Sequence, residues 1–184
     1  MVKVYDDFLS KRDYKNLLNN MTSVDLPWHW GDFIIENEDL ECDELDNYQM
    51  HHTMFMNSSP QNQSYNWIVP IISDPRLECR ALVKIKANLN NRSSEIIRHG
   101  FHCDVPYHCT TAIFYLNTNN GYTEFEDGTK VDSISNRLVT FPSSLRHTGT
   151  TCTDQKRRLV INFNYFSAPI DENIKFPSQY ASNN

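Results

Sequence analysis

RRLVINFNYF, residues 157–166, alternates along its length: Leu159, Ile161, Phe163 and Tyr165 fall on one side, and Arg158, Val160, Asn162 and Asn164 on the other. Side chains of a strand point to opposite faces with a period of two, so this is a strand with one face in a core and the other on a cavity wall. The same texture repeats upstream from about Glu78. CRALVKIKANL, SEIIRHGFHC, CTTAIFYLN, GYTEF, KVDSI, RLVTFP and RHTGTT read as short strands, punctuated by the turn signals Asn119-Asn120-Gly121 and Glu126-Asp127-Gly128. Eight such strands predict a mainly β fold of the jelly-roll, cupin-like kind.

Ahead of them, Ser10 with Asp13 forms a capping box, and Leu17, Leu18 and Met21 supply an apolar stripe, so a helix is expected over roughly 10–21. Short strands are expected over 32–36 and 48–56, and a short helix within 66–77 broken by Pro75. These N-terminal elements would buttress one sheet. With no linker, repeat or low-complexity tract, 184 residues read as a single domain, 1–184.

Composition narrows the function. The five glycines, at 31, 100, 121, 128 and 149, form neither a G-x-G-x-x-G nor a G-x-x-x-x-G-K loop, which excludes nucleotide binding by those routes. Residues 36–47 (ENEDLECDELDN) hold seven of the 23 acids and no base, so the other 16 acids nearly balance 17 Lys and Arg. That leaves no basic stripe for a phosphate backbone, and no nucleic acid partner is expected. The acidic run itself reads as a solvated loop. Cysteines at 42, 79, 103, 109 and 152 show no zinc-site spacing, and neither a membrane span nor an apolar leader is seen, so a cytoplasmic location with free thiols is expected. The Asn-rich, Ala-poor composition suggests an AT-rich coding source such as a phage or virus, whose location would be the host cytoplasm.

His102-Cys103-Asp104 places an imidazole and a carboxylate two apart, on one face if the segment is a strand, with Cys103 pointing away into the fold. A third ligand would complete a two-His-one-carboxylate facial triad, which holds iron(II) and leaves positions open for oxygen chemistry. His147, opening a later strand, is the best candidate; His99, His108, His51 and His52 compete. On a regular strand His99 faces away from His102, and His108 lies in the Pro106 turn. Arg158 follows His147 by eleven residues on the polar face of the last strand, where its guanidinium fork suits a carboxylate.

The ordered run of HCD, TTAIFYLN, NGYTEF, RHTGTT and RRLVINFNYF resembles the iron(II)- and 2-oxoglutarate-dependent dioxygenases of the prolyl 4-hydroxylase type, over roughly residues 78–167. That resemblance implies a double-stranded β-helix core, Fe(II) bound by His102, Asp104 and His147, 2-oxoglutarate as co-substrate, O2, and ascorbate in a supporting role. It places the 5-carboxylate of 2-oxoglutarate on Arg158, with a second bond from the Tyr115 phenol, and Asn162 beside the co-substrate. Where many members have Gly-Gly, this chain has Asn120-Gly121, tolerable if Asn120 adopts left-handed geometry. No tyrosine precedes the H-x-D where some members carry one. Asp104 excludes the halogenases of the family, which keep that position small, and Asn164 stands where the nucleic-acid demethylases have a second arginine.

The nearest-family substrate is a prolyl residue of a peptide or protein, with 36–67 as a lid whose acids, Tyr48, Met54, Phe55, Met56, Tyr65 and Trp67 suit an extended basic or proline-containing chain. A free amino acid or other small metabolite is the alternative substrate. A cupin-like metal-binding or sensor protein without catalysis is the rival class, and Arg158 with Tyr115 argues against it, since a structural metal needs no co-substrate clamp.

Overall fold

The computed structural model describes residues 1–35 and 39–167. Its larger sheet is antiparallel and built around β11 (Arg157–Ser167), which lies between β5 (Cys79–Asn91) and β6 (Thr110–Tyr115). Beyond β6 come β9 (Arg137–Pro142) and β1 (Lys3–Tyr5). Beyond β5 come β3 (Gln49–Met56) and β2 (His29–Gly31), with the short β4 (Ser59–Pro60) also on β3. A three-stranded sheet, β10 (His147–Gly149), β7 (Tyr122–Phe125) and β8 (Lys130–Asp132), faces it.

Two cores follow from the alternation of β11. Its odd residues, Leu159, Ile161, Phe163 and Tyr165, pack with Leu17 and Met21 of α1 (Lys11–Met21) and with Ile68 and Ile71 from the helical turns behind the sheet. Val160, of opposite parity, joins Ile113, Tyr115, Phe125, Val131, Val139 and Phe141 in a smaller cluster between the two sheets. Arg158, Asn162 and Asn164 share that inner side, which is therefore half core and half cavity. This two-sheet arrangement is the expected jelly roll.

The helix begins as the capping box requires: the Ser10 hydroxyl accepts from Asp13 N at 3.1 Å and donates to the Asp13 carboxylate at 2.7 Å. Residues 63–77 form 3₁₀ turns flanking a short α-helix, α2 (Val69–Ile72), in place of the single short helix expected within 66–77. The strand expected over 32–36 is instead β2, three residues earlier, and residues 32–35 bend away from the sheet; Glu36 lies outside the described residues. SEIIRHGFHC is not a regular strand. It makes only single bridges, Arg98 with Thr150 and His102 with His147, because Gly100 sits at φ +133, a conformation closed to L side chains, and breaks the period-two alternation. Asn120 is absent from the left-handed positions; it is held instead by side-chain bonds, its Nδ2 donating to Thr153 Oγ1 at 2.7 Å. No helix among the described residues is long and apolar enough to cross a membrane.

Phe163 has no solvent exposure at the centre of the helix-side core. Phe163→Ala is expected to lower stability by about 3–5 kcal/mol, read as a reduced urea midpoint with an unchanged slope.

Candidate metal centre and its cavity

The metal-ligating side chains are brought together by backbone. His102 N donates to His147 O, and His147 N donates to His102 O, each at 3.0 Å, so the two residues sit directly opposite across an antiparallel bridge. Their ring centroids are 5.0 Å apart. Asp104, two residues on, lies 3.8 Å from each imidazole Nε2, through Oδ1 to His102 and Oδ2 to His147. Those separations are too long for hydrogen bonds. The three ligand atoms lie within 4.8 Å of one another around a common point, so His102, Asp104 and His147 fit a divalent ion.

Orientation comes from the surrounding groups. His102 Nδ1 lies 3.3 Å from Gly100 O and His147 Nδ1 3.3 Å from Leu145 O, so both rings donate from Nδ1 and turn the Nε2 lone pair inward. The Asn164 amide, held on Thr111 Oγ1 at 3.0 Å, donates to Asp104 Oδ2 at 3.4 Å. Burial alone would raise the Asp104 pKa, but His147, His102 and the Asn164 amide outweigh it and hold the carboxyl below its ordinary value. Burial keeps the His147 pKa low. A carboxyl held ionised is the form in which Asp104 can ligate a metal.

A cavity of about 650 Å³ opens beside the triad. Arg158, only 3% exposed, lines it. Its Nε donates to Ser133 Oγ at 2.8 Å and its Nη2 to Thr123 Oγ1 at 3.1 Å, and no carboxylate pairs with it among the described residues. At Gly149 an added Cβ would come 3.3 Å from Arg158 Nη1, so glycine keeps this end open. Tyr115 is fully buried behind it; its hydroxyl donates to Thr123 Oγ1 at 2.8 Å, and its ring lies 5.7 Å from the guanidinium carbon. The phenol therefore reaches the cavity through Thr123. Asn162 lines the cavity with a buried, unpartnered Oδ1.

Other side chains depart from expectation. His99 does not face away: with Gly100 interrupting the strand, it is buried in the wall of the same cavity, its Nδ1 3.3 Å from Gly149 O and its Nε2 unpartnered. Cys103 is exposed at the rim rather than buried in the fold. His108 is exposed, and His52 is buried against Pro27 O and Ser64, so neither joins the triad. Met54 and Phe55 lie in the helix-side core with Tyr65 and Trp67 packed against it, so the lid is narrower than 36–67. Phe33, Ile34, Ile35 and Asp39 line the cavity mouth. Of the described acids of 36–47, Asp39 pairs with Arg146 and Glu41 with Arg98, each at 2.6 Å, while Asp43 and Glu44 are exposed as a solvated loop would have them. Sequence reading did not single out Thr123, Lys84, Lys86 or the supporting role of Asn164, although the parity of β11 placed Asn164 on the cavity side.

No family model and no curated protein sequence matches the chain. Solved structures do. A prolyl hydroxylase from Trichoplax adhaerens, in complex with a hypoxia inducible factor oxygen degradation domain peptide, aligns with a TM-score of 0.60 at 17% identity, covering 90% of this chain and 83% of that one. An oxidoreductase of the 2OG-Fe(II) oxygenase family from Burkholderia pseudomallei gives 0.66 at 11%, covering 90% and 84%. HygX from Streptomyces hygroscopicus, with nickel and 2-oxoglutarate bound, gives 0.56 at 10%, covering 91% and 83%. The chain has the fold of these proteins.

Burial holds the His99 pKa below its ordinary 6.5, with the Arg158 charge nearby acting in the same direction. The unfolded chain takes a proton here near pH 6.5 while the folded chain resists it, so stability is lost as pH falls below that point. Metal-free protein is expected to show a lower urea midpoint at pH 5 than at pH 7.5, and His99→Gln to shrink the difference.

Proposed function

We propose that this chain is an Fe(II)- and 2-oxoglutarate-dependent dioxygenase that hydroxylates a substrate C–H bond, with Fe(II) on His102, Asp104 and His147. The observation that carries this reading is Arg158: a guanidinium buried without a counter-carboxylate is costly, and it faces the same cavity as the triad. A dicarboxylate with one end on the metal and the other on Arg158 satisfies both. Fe(II) with 2-oxoglutarate supplies the oxidising power: one oxygen atom of O2 enters the substrate as hydroxyl and the other enters succinate, with release of CO2.

The protein's own part is positioning. The Gly100 and Leu145 carbonyls aim the two imidazoles, and Asn164 aims the carboxylate. Thr123 Oγ1 accepts from both Tyr115 and Arg158, which turns its own hydroxyl proton toward the cavity as a further donor to the 5-carboxylate. Tyr115 thus acts through Thr123, and Asn162 borders the co-substrate. Phe125 and Phe141 stand beside His147, the latter ring centroid at 4.8 Å, and keep that side of the metal dry.

A prolyl residue of a peptide is the first substrate class, supported by the sequence resemblance and by the peptide-bound prolyl hydroxylase of the same fold. A small metabolite is the second, because the cavity is lined by charged side chains that can recognise one.

With Fe(II), ascorbate and 2-oxoglutarate, purified protein is expected to form succinate slowly without substrate and to lose this in His147→Ala. In calorimetry with Mn(II) replacing iron, Arg158→Gln is expected to weaken 2-oxoglutarate about 100-fold. Absence of any 2-oxoglutarate binding by the unsubstituted protein overturns the reading.

A further inference from the structure

Along β5 the odd residues Ile85, Ala87 and Leu89 enter the helix-side core, which turns Lys84, Lys86, Asn88 and Asn90 toward the cavity. Register with β11 orders them: Asn90 lies opposite Arg158, Asn88 opposite Val160, Lys86 opposite Asn162, and Lys84 opposite Asn164. Asn164 is the residue that holds Asp104. The wall therefore carries a guanidinium at one end and two ammonium groups at the other, beside the metal ligands.

Neither lysine pairs with a carboxylate among the described residues. The two carboxylates that line the cavity are engaged, Asp104 in the triad and Asp39 with Arg146. Two imidazoles stand further out: on β3, His51 lies opposite Asn88, and His29 of β2 lies opposite His51 with ring centroids 6.0 Å apart; burial and the nearby Lys86 hold the His51 pKa below its ordinary value, so His51 adds no charge to the two lysines. Burial and the neighbouring Lys84 press the Lys86 ammonium toward its neutral form while Asp104 acts the other way, and an anion placed between the two lysines would add to the Asp104 effect. A cationic recess inside a protein of net charge -6 concentrates anions where the surface repels them.

We propose that Lys84 and Lys86 bind an anionic group, a carboxylate or phosphate, of the molecule that is oxidised, so the primary substrate is an acid and not a basic or neutral chain. This rests on the oxygenase reading above and names its substrate class. The co-substrate does not explain the lysines. Its distal carboxylate belongs with Arg158, and Lys86 stands four residues along β5 from the residue facing Arg158, about 13 Å of strand. Alternate strand residues lie about 7 Å apart, so two flexible lysine stems can close on one anionic group from either side. Asp39, the described acid of 36–47 that lines the cavity, is tied to Arg146, and Glu41 to Arg98, so neither is free there to grip a basic chain.

The test offers the protein, supplied with Fe(II), ascorbate and 2-oxoglutarate, four pools: free amino, hydroxy and phospho acids; their amides and esters; end-capped proline-containing peptides rich in Asp, Glu and phosphoserine; and the same peptides with Asn, Gln and Ser. Succinate formation above the substrate-free rate is the readout. An acid pool is expected to stimulate about tenfold or more over its neutral counterpart, and whether it is the free acids or the peptides identifies the source. Lys84→Gln with Lys86→Gln is expected to abolish the preference chiefly through KM, and the double arginine variant to keep it. Equal stimulation by neutral pools, or none by either acid pool, overturns the proposal. So does a loss of 2-oxoglutarate affinity in the glutamine variant as severe as in Arg158→Gln, which would assign the lysines to the co-substrate. If the unsubstituted protein neither binds nor consumes 2-oxoglutarate, the oxygenase reading itself falls and takes this assignment with it.

Discussion

Two backbone hydrogen bonds between His102 and His147 hold the site together. Residues 45 apart in the chain become directly opposite, and each then needs only its own carbonyl acceptor, Gly100 O or Leu145 O, to fix its ring. The pairing rests on an irregular segment. Gly100 turns the chain ahead of His102, and a Cβ there would run into the Asp39 carbonyl and the Ile35 side chain, so Ile35 and Asp39 pack on the same spot that aims the first ligand. Geometry at the metal and placement of the cavity mouth are one constraint.

The second support is β11. Its outer face anchors the larger core, and that burial is the favourable term against which the inner face can carry Arg158, Asn162 and Asn164. A buried guanidinium without a counter-ion, together with unpartnered polar atoms on Asn88, His99 and Asn162, costs stability in the empty protein. Such groups concentrate where a ligand completes them, and the central strand of the larger sheet is the part of this fold best able to tolerate them.

Much of this was legible in the residues. Alternation along 157–166 predicted both faces of β11, and the capping box at Ser10 predicted the start of α1, because each depends on local periodicity alone. His102, Asp104 and His147 converge as the spacing suggested. What escaped depended on partners distant in sequence. His99 was read as facing away because parity was extended through Gly100, whose φ of +133 answers to contacts with residues near position 39. Cys103 was read as buried because a strand was extended past His102, where the chain makes one bridge and then bends. Asp39 and Glu41 looked solvated because Arg146 and Arg98, their partners, lie far along the chain. Of the positions assigned to the lid, Met54, Phe55, Tyr65 and Trp67 join the helix-side core; for Met54 and Phe55 this follows from the register of β3 on β5, with its irregularity between Thr53 and Phe55, which no short window contains.

Charge is sorted in this fold in a way that net charge conceals. Seven of the 23 acids cluster in one segment, and the structure turns two of them, Asp39 and Glu41, into ties to Arg146 and Arg98. Exposed pairs of this kind contribute little stability individually. Their effect on recognition is larger, because arginines at the rim are neutralised while Lys84, Lys86 and Arg158 inside are not. An anion arriving at the mouth therefore meets paired charge outside and, within, Lys84, Lys86 and Arg158 against the single carboxylate of Asp104, in a recess where reduced solvent screening strengthens each interaction. Among the described residues the rim arginines carry ion pairs, Arg146 with Asp39 and Glu126 and Arg98 with Glu41 and Glu124, while Lys84, Lys86 and Arg158 carry none, and this sorting favours an acidic ligand along the route to the metal ligands.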